Sequence, residues 1–118
     1  MRYVSNTFSL NMLSLPSPGE TRCHVLIIRG LSPPEAREWL MSGDFFSVVG
    51  HQSTASVLTA VTGVHIPLHR GEIVLSPGDE ILVFQLGVRL PEGKVLEPAE
   101  LKQLYDEGRI KLLLVTVR

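Results

Sequence analysis

A chain of 118 residues suits one domain, and 44% hydrophobic with 19% charged residues is a globular composition that excludes a disordered polymer. A formal net charge of −1 argues against a protein that wraps long DNA or RNA, which takes a strongly basic face, but leaves room for a small anion held by a few arginines. The single cysteine excludes an intrachain disulfide, and no run approaches the roughly 18 apolar residues of a membrane span.

In chain order, residues 2–6 (RYVSN) read as a short strand and 14–21 (SLPSPGET) as a loop. The start MRYVSNTFSLNML breaks its apolar positions with Ser and Asn and carries no leader-peptidase signal, so a cytoplasmic protein is expected. Residues 22–30 (RCHVLIIRG) predict a buried strand, with Cys23 an inert buried thiol and His24 a hydrogen-bonded core residue. A helix follows: Ser32 as N-cap, Pro33 in the first helical position, Glu35 closing a capping box, Ala36, Leu40 and Met41 as an apolar stripe, and Gly43 as the stop. The segment DFFSVV leads into GHQSTASVLTAVTG, where Val57, Leu58 and Val61 have helical spacing and Gly63 is a stop.

Residues 70–76 (RGEIVLS) predict a strand, SPGD a turn, and 80–90 (EILVFQLGVRL) another strand. LPEGKV is a loop, and 97–108 (EPAELKQLYDEG) a helix with Pro98 in its first turn and Gly108 beyond its end. The last strand is apolar almost continuously from Ile110 to Val117, as in a central strand covered on both faces or one that helps cover a subunit interface. The expected fold is a single α/β domain spanning 1–118, with a mixed central sheet of about five strands flanked by helices.

The stretch GHQST (50–54) is the strongest candidate for chemistry. The first turn of a helix leaves backbone N–H groups unpaired and its dipole favours an anion. Gly50 allows close approach to the backbone, Ser53 and Thr54 offer hydroxyls, and His51 stands beside whatever anion binds. A helix start disfavours a protonated imidazole and a bound phosphate favours it, so ligand binding can itself supply the proton of a general acid. The plainer alternative is that Ser53 caps the helix and His51 is simply exposed. His65 and His69 flank Pro67 and share no helical face, Asp44 and Asp79 sit in turns where Asp caps the backbone, and no Cys/His or carboxylate cluster has metal-ligand spacing. Arg70 begins one predicted strand, Arg89 ends another, and Glu92 follows three residues later; a solvated strand end and a surface ion pair are the plain alternatives there.

Together NTFSLNM (6–12), GHQST (50–54), RGEI (70–73) and QLGVRLPEG (85–93) resemble the viral anti-CRISPR ring nucleases, which degrade cyclic tetraadenylate, the second messenger of type III CRISPR defence. The likeness covers nearly the whole chain, in order and with similar spacing. It implies an α/β homodimer that binds the ring across its two-fold axis and cleaves it without a metal or other cofactor. It implies a catalytic role for His51, Arg89 and Glu92, the last two on a loop that closes over the ligand. Asn6, Ser9, Asn11, Ser53, Thr54, Arg70 and Gln85 then match positions lining the nucleotide. No long nucleic acid and no membrane are implied as partners, and the host cytoplasm is the expected location. The alternative reading is a binding module that sequesters a cyclic nucleotide without cutting it. A regulatory protein acting on DNA is a third, disfavoured by near-neutral charge.

Overall fold

Successive residues of a strand face opposite ways, and two strands of this chain use both faces. Leu82, Phe84, Leu112 and Leu114 enter one core cluster with Leu40 and Leu58, while Ile81, Val83, Val115 and Val117 enter another. The computed structural model describes residues 1–87 and 96–118. Among them the order is β1 (Arg2–Ser5), β2 (Leu26–Leu31), α1 (Pro33–Met41), β3 (Phe46–Ser47), α2 (Gln52–Thr62), β4 (Glu80–Leu86), α3 (Pro98–Asp106) and β5 (Ile110–Val117). The strands form one mixed sheet in the order β2-β5-β4-β1-β3. β1 is parallel to β3 and β4, and β5 is antiparallel to both of its neighbours.

The three α-helices supply apolar residues to one face of the sheet only, while a 3-10 turn at Leu10–Met12 contributes Met12 to the other. Residues from the segments 8–13 and 73–75, among them Phe8, Leu13, Ile73 and Leu75, cover part of the other. The predicted α/β domain with a five-stranded mixed sheet is therefore what forms, and β5, with its apolar run, is an interior strand between β2 and β4. On β5 the helix-side residues Ile110, Leu112 and Leu114 are buried, and on its other side Val115 and Val117 are buried while Lys111 is exposed.

Several local expectations are corrected. Residues 70–76 form no strand. Ile73 and Leu75 do alternate inward, which mimics a strand signal, but the backbone crosses the helix-free face with no ladder partner; its Leu75 N–H donates to the Met12 carbonyl at 2.6 Å. The sheet instead gains the two-residue β3 from DFFSVV. The run at 22–30 is extended only from Leu26 and lies at the sheet edge, so Ile27 and Ile28 are exposed rather than buried. Cys23 is exposed for the same reason, and His24 is half-buried, its Nε2 within 2.8 Å of the Ser14 carbonyl. Met41 is exposed, leaving Ala36 and Leu40 as the buried stripe of α1. β4 ends at Leu86, Gly87 is a bend beyond it, and residues 88–90 of its predicted length lie outside the described residues.

The α1 start is as expected. The Glu35 N–H donates to the Ser32 hydroxyl at 3.3 Å, and the Ser32 N–H donates to the Glu35 carboxylate at 3.1 Å. That donated N–H, helped by the Ser32 hydroxyl and by Arg29, holds the Glu35 carboxyl below its usual pKa. A depressed folded-state pKa stabilises the fold above the unfolded-state value, and the gain is lost as pH falls through the folded-state value. Glu35→Gln should therefore lower the melting temperature slightly at neutral pH, and the gap to wild type should close as pH drops through the carboxylate range. A constant gap across thermal melts at several pH values would contradict the capping box as its source. Ser32→Ala, which removes the cap itself, should cost about 1 kcal/mol.

Candidate functional site

In open α/β sheets ligands bind outside the carboxyl ends of the parallel strands, where loops diverge. Here β1, β3 and β4 end on one side of the molecule, and the residues singled out above follow them. Asn6, Ser9 and Asn11 come after β1, the Gly50–His51 pair precedes α2 after β3, and Gln85 lies in the last turn of β4. Because β5 is antiparallel, its first residues reach the same end.

The α2 start departs from expectation in a useful way. His51 is the N-cap, in extended conformation at φ −125°, ψ 127°, and no side chain caps the helix. Ser53 sits inside the first turn and does not cap. The first intrahelical bond runs from the Ala55 N–H to the His51 carbonyl at 2.9 Å, so the N–H groups of 52–54 have no intrahelical acceptor. His51 is exposed, and Ser53 and Thr54 are half-buried beside it. At the other end Gly63 takes the left-handed conformation, φ 72°, that closes the helix.

Two predicted residues hold the backbone just before His51. The Gly50 N–H donates to Asn6 Oδ1 at 3.5 Å, and Arg70 Nε donates to the Gly50 carbonyl at 3.0 Å. The His69 N–H donates to the Val49 carbonyl at 2.9 Å, tying the 69–70 segment alongside the same turn. Arg70 is exposed, and among the described residues no carboxylate pairs with it. Asn6, His51 and Arg70 thus converge on one uncapped helix start, an arrangement able to hold an anion and hand it a proton.

Ser9 and Asn11 line a separate hollow of about 320 Å³ with Gly71, Glu72 and Ile73. That segment also borders a larger groove of about 560 Å³ lined by Tyr3, Phe45, Phe46 and His69. Gln85 touches neither. It borders a cleft of about 390 Å³ with Gly87, Arg109 and Lys111. Lys111 lies directly opposite Gln85 in the β4–β5 register, and both are exposed. These two cations were missed in the sequence; the available signal was the one charged residue inside the apolar run of the last strand. Arg89 and Glu92 lie outside the described residues. Among the described residues no three His, Cys, Asp or Glu side chains gather as a metal site requires.

Residues 2–112 match the STIV B116-like family. Protein 26 of Sulfolobus islandicus filamentous virus is 40% identical over 94 residues, covering 79% of this chain and 78% of that one. ORF117 of Acidianus two-tailed virus is 34% identical over 95 residues, covering 79% and 80%. The structure of B116 of Sulfolobus turreted icosahedral virus superimposes with a TM-score of 0.80 at 29% identity, over 98% of this chain and 97% of that one.

Proposed function

We propose that this chain, which belongs to the STIV B116-like family of archaeal viral proteins, is a ring nuclease that binds cyclic tetraadenylate and cleaves it to linear dinucleotides, switching off type III CRISPR signalling. The observation that carries the reading is the start of α2, where exposed His51 follows directly on Gly50, whose backbone Asn6 and Arg70 hold. An RNA ring brings its own nucleophile. The ribose 2′-oxygen attacks the adjacent phosphorus, the P–O2′ bond forms and the P–O5′ bond breaks. His51 delivers its proton to the departing 5′-oxygen, and the 2′-hydroxyl proton passes to solvent. The product ends in a 2′,3′-cyclic phosphate.

The protein's share is orientation, which can supply several kcal/mol, and general acid catalysis, worth about 10²–10⁴-fold. The free N–H groups of 52–54, the hydroxyls of Ser53 and Thr54 and the guanidinium of Arg70 take the scissile phosphate. Ser9, Asn11 and Gln85 hold neighbouring nucleotides, and Arg89 with Glu92 acts from the segment after β4. A ring with repeating symmetry fits a two-fold homodimer, which presents the same patch to both halves. The viral origin of the relatives supports a host defence messenger as substrate. Nothing in this chemistry calls for a metal.

The test is incubation with cyclic tri-, tetra- and hexaadenylate in EDTA, with products resolved by mass. Linear diadenylate bearing a cyclic phosphate is expected from the tetramer. Activity lost in chelator and restored by magnesium or manganese would overturn the metal-free mechanism. Tight binding without cleavage would leave sequestration as the function.

A further inference from the structure

We propose that Gln85, Arg109 and Lys111 form a second anion site, which takes a non-scissile phosphate of the cyclic oligoadenylate with Lys111 as its principal cation. The inference rests on the ring-nuclease reading, which already places Gln85 at the nucleotide, and adds Arg109 and Lys111 to it.

The strand register builds the cleft. Gln85 pairs with Lys111, and alternation places both on the face of the sheet that carries no helix, the face of Val83 and Leu113. Opposite residues in an antiparallel pair have Cβ atoms about 4.5–5.5 Å apart, close enough for both side chains to reach one group. Arg109, two residues before Lys111, borders the same hollow of about 390 Å³. Gly87 brings the end of β4 against it: its N–H donates to the Arg109 carbonyl at 2.6 Å, and a Cβ at Gly87 would stand 3.3 Å from that oxygen. The backbone is thus pinned on both sides of the cleft.

The charge balance selects an anion. Arg109 Nε pairs with Glu107 at 3.1 Å, which neutralises part of one cation. Among the described residues no carboxylate pairs with Lys111, although it interrupts an otherwise apolar strand. A Gln amide beside that ammonium offers N–H donors to a phosphodiester. The position suits a ring that also reaches the His51 turn. Ser5 of β1 pairs with Val83, so Asn6 leaves the sheet one strand from Gln85 and two from Lys111. At about 4.8 Å per strand spacing, that is about 10 Å across the sheet end. One multiply charged ligand can span it; a single phosphate cannot.

Lys111→Gln in the full chain is the test, with cyclic tetraadenylate binding measured over a range of salt concentrations. Lys111 is exposed and its replacement keeps length and polarity, so the variant should fold and melt like wild type. Its affinity should fall about 10- to 100-fold, the size of a lost charge-assisted hydrogen bond. The slope of log affinity against log salt should become shallower by about 0.7, the share of one phosphate contact. Lys111→Arg should restore most of both. Unchanged affinity and salt slope in Lys111→Gln, while the wild type cuts the ring, would overturn the cleft and leave the nuclease standing. Weaker binding with an unchanged salt slope would also overturn it. A wild type that neither binds nor cuts any ring would bring down the function and the cleft together.

Discussion

Replacing His51 with alanine should slow the chemical step by about 10²–10⁴-fold while binding of the ring survives. The structure separates the two effects. His51 caps α2 with its backbone alone, so the helix keeps its first intrahelical bond to the His51 carbonyl when the ring is removed. The side chain is exposed and makes no capping hydrogen bond, so its removal should move stability by no more than about 0.5 kcal/mol. Ser53, Thr54, Arg70 and the free N–H groups remain to hold phosphate. Single-turnover rates of both proteins at saturating ring decide the matter. Cleavage by His51→Ala at near wild-type speed would mean that the proton comes from another group.

Phe84→Ala should cost about 3–5 kcal/mol of stability, a large fraction of the roughly 5–15 kcal/mol that holds a domain of this kind together. Phe84 is 1% exposed and heads the largest fully buried side chains. It lies on the helix-bearing face of β4, in the cluster that contains Leu58 of α2, Leu40 of α1 and Leu112 of β5. Removing the ring leaves a cavity where two layers meet, and neighbours that belong to regular elements cannot collapse far to fill it. Urea unfolding should show a lower midpoint with an unchanged slope. A loss below about 1 kcal/mol would mean that the helices do not pack on β4 as described. The effect on the site is indirect: Gln85 follows Phe84 on the opposite face, so a loosened β4 would shift the cleft beside Lys111.

Local chemistry was legible without the fold. The capping box of Ser32 and Glu35, the stop at Gly63 and the apolar continuity of the last strand each depend on residues within a few positions of one another, and each is found as read. GHQST was legible as a loop entering a helix for the same reason. What needed the tertiary structure was every question of who lies beside whom. Ile73 and Leu75 alternate as strand residues do, yet only the assembled fold shows that they pack across a face of the sheet instead of pairing along an edge. Ile27 and Ile28 look like core, yet β2 has a neighbour on one side only, so position in the sheet overrides hydrophobicity. Ser53 is the better cap by residue type, yet His51, extended at φ −125°, stands at the cap and Ser53 falls inside the first turn. Lys111 and Gln85 are 26 positions apart in the chain, and only the antiparallel register of β4 and β5 makes them partners. Periodicity and capping act through the local backbone and are written in order along the chain. Register, edge position and the meeting of loops at one end of a sheet are set by long-range pairing, which no short window of residues contains.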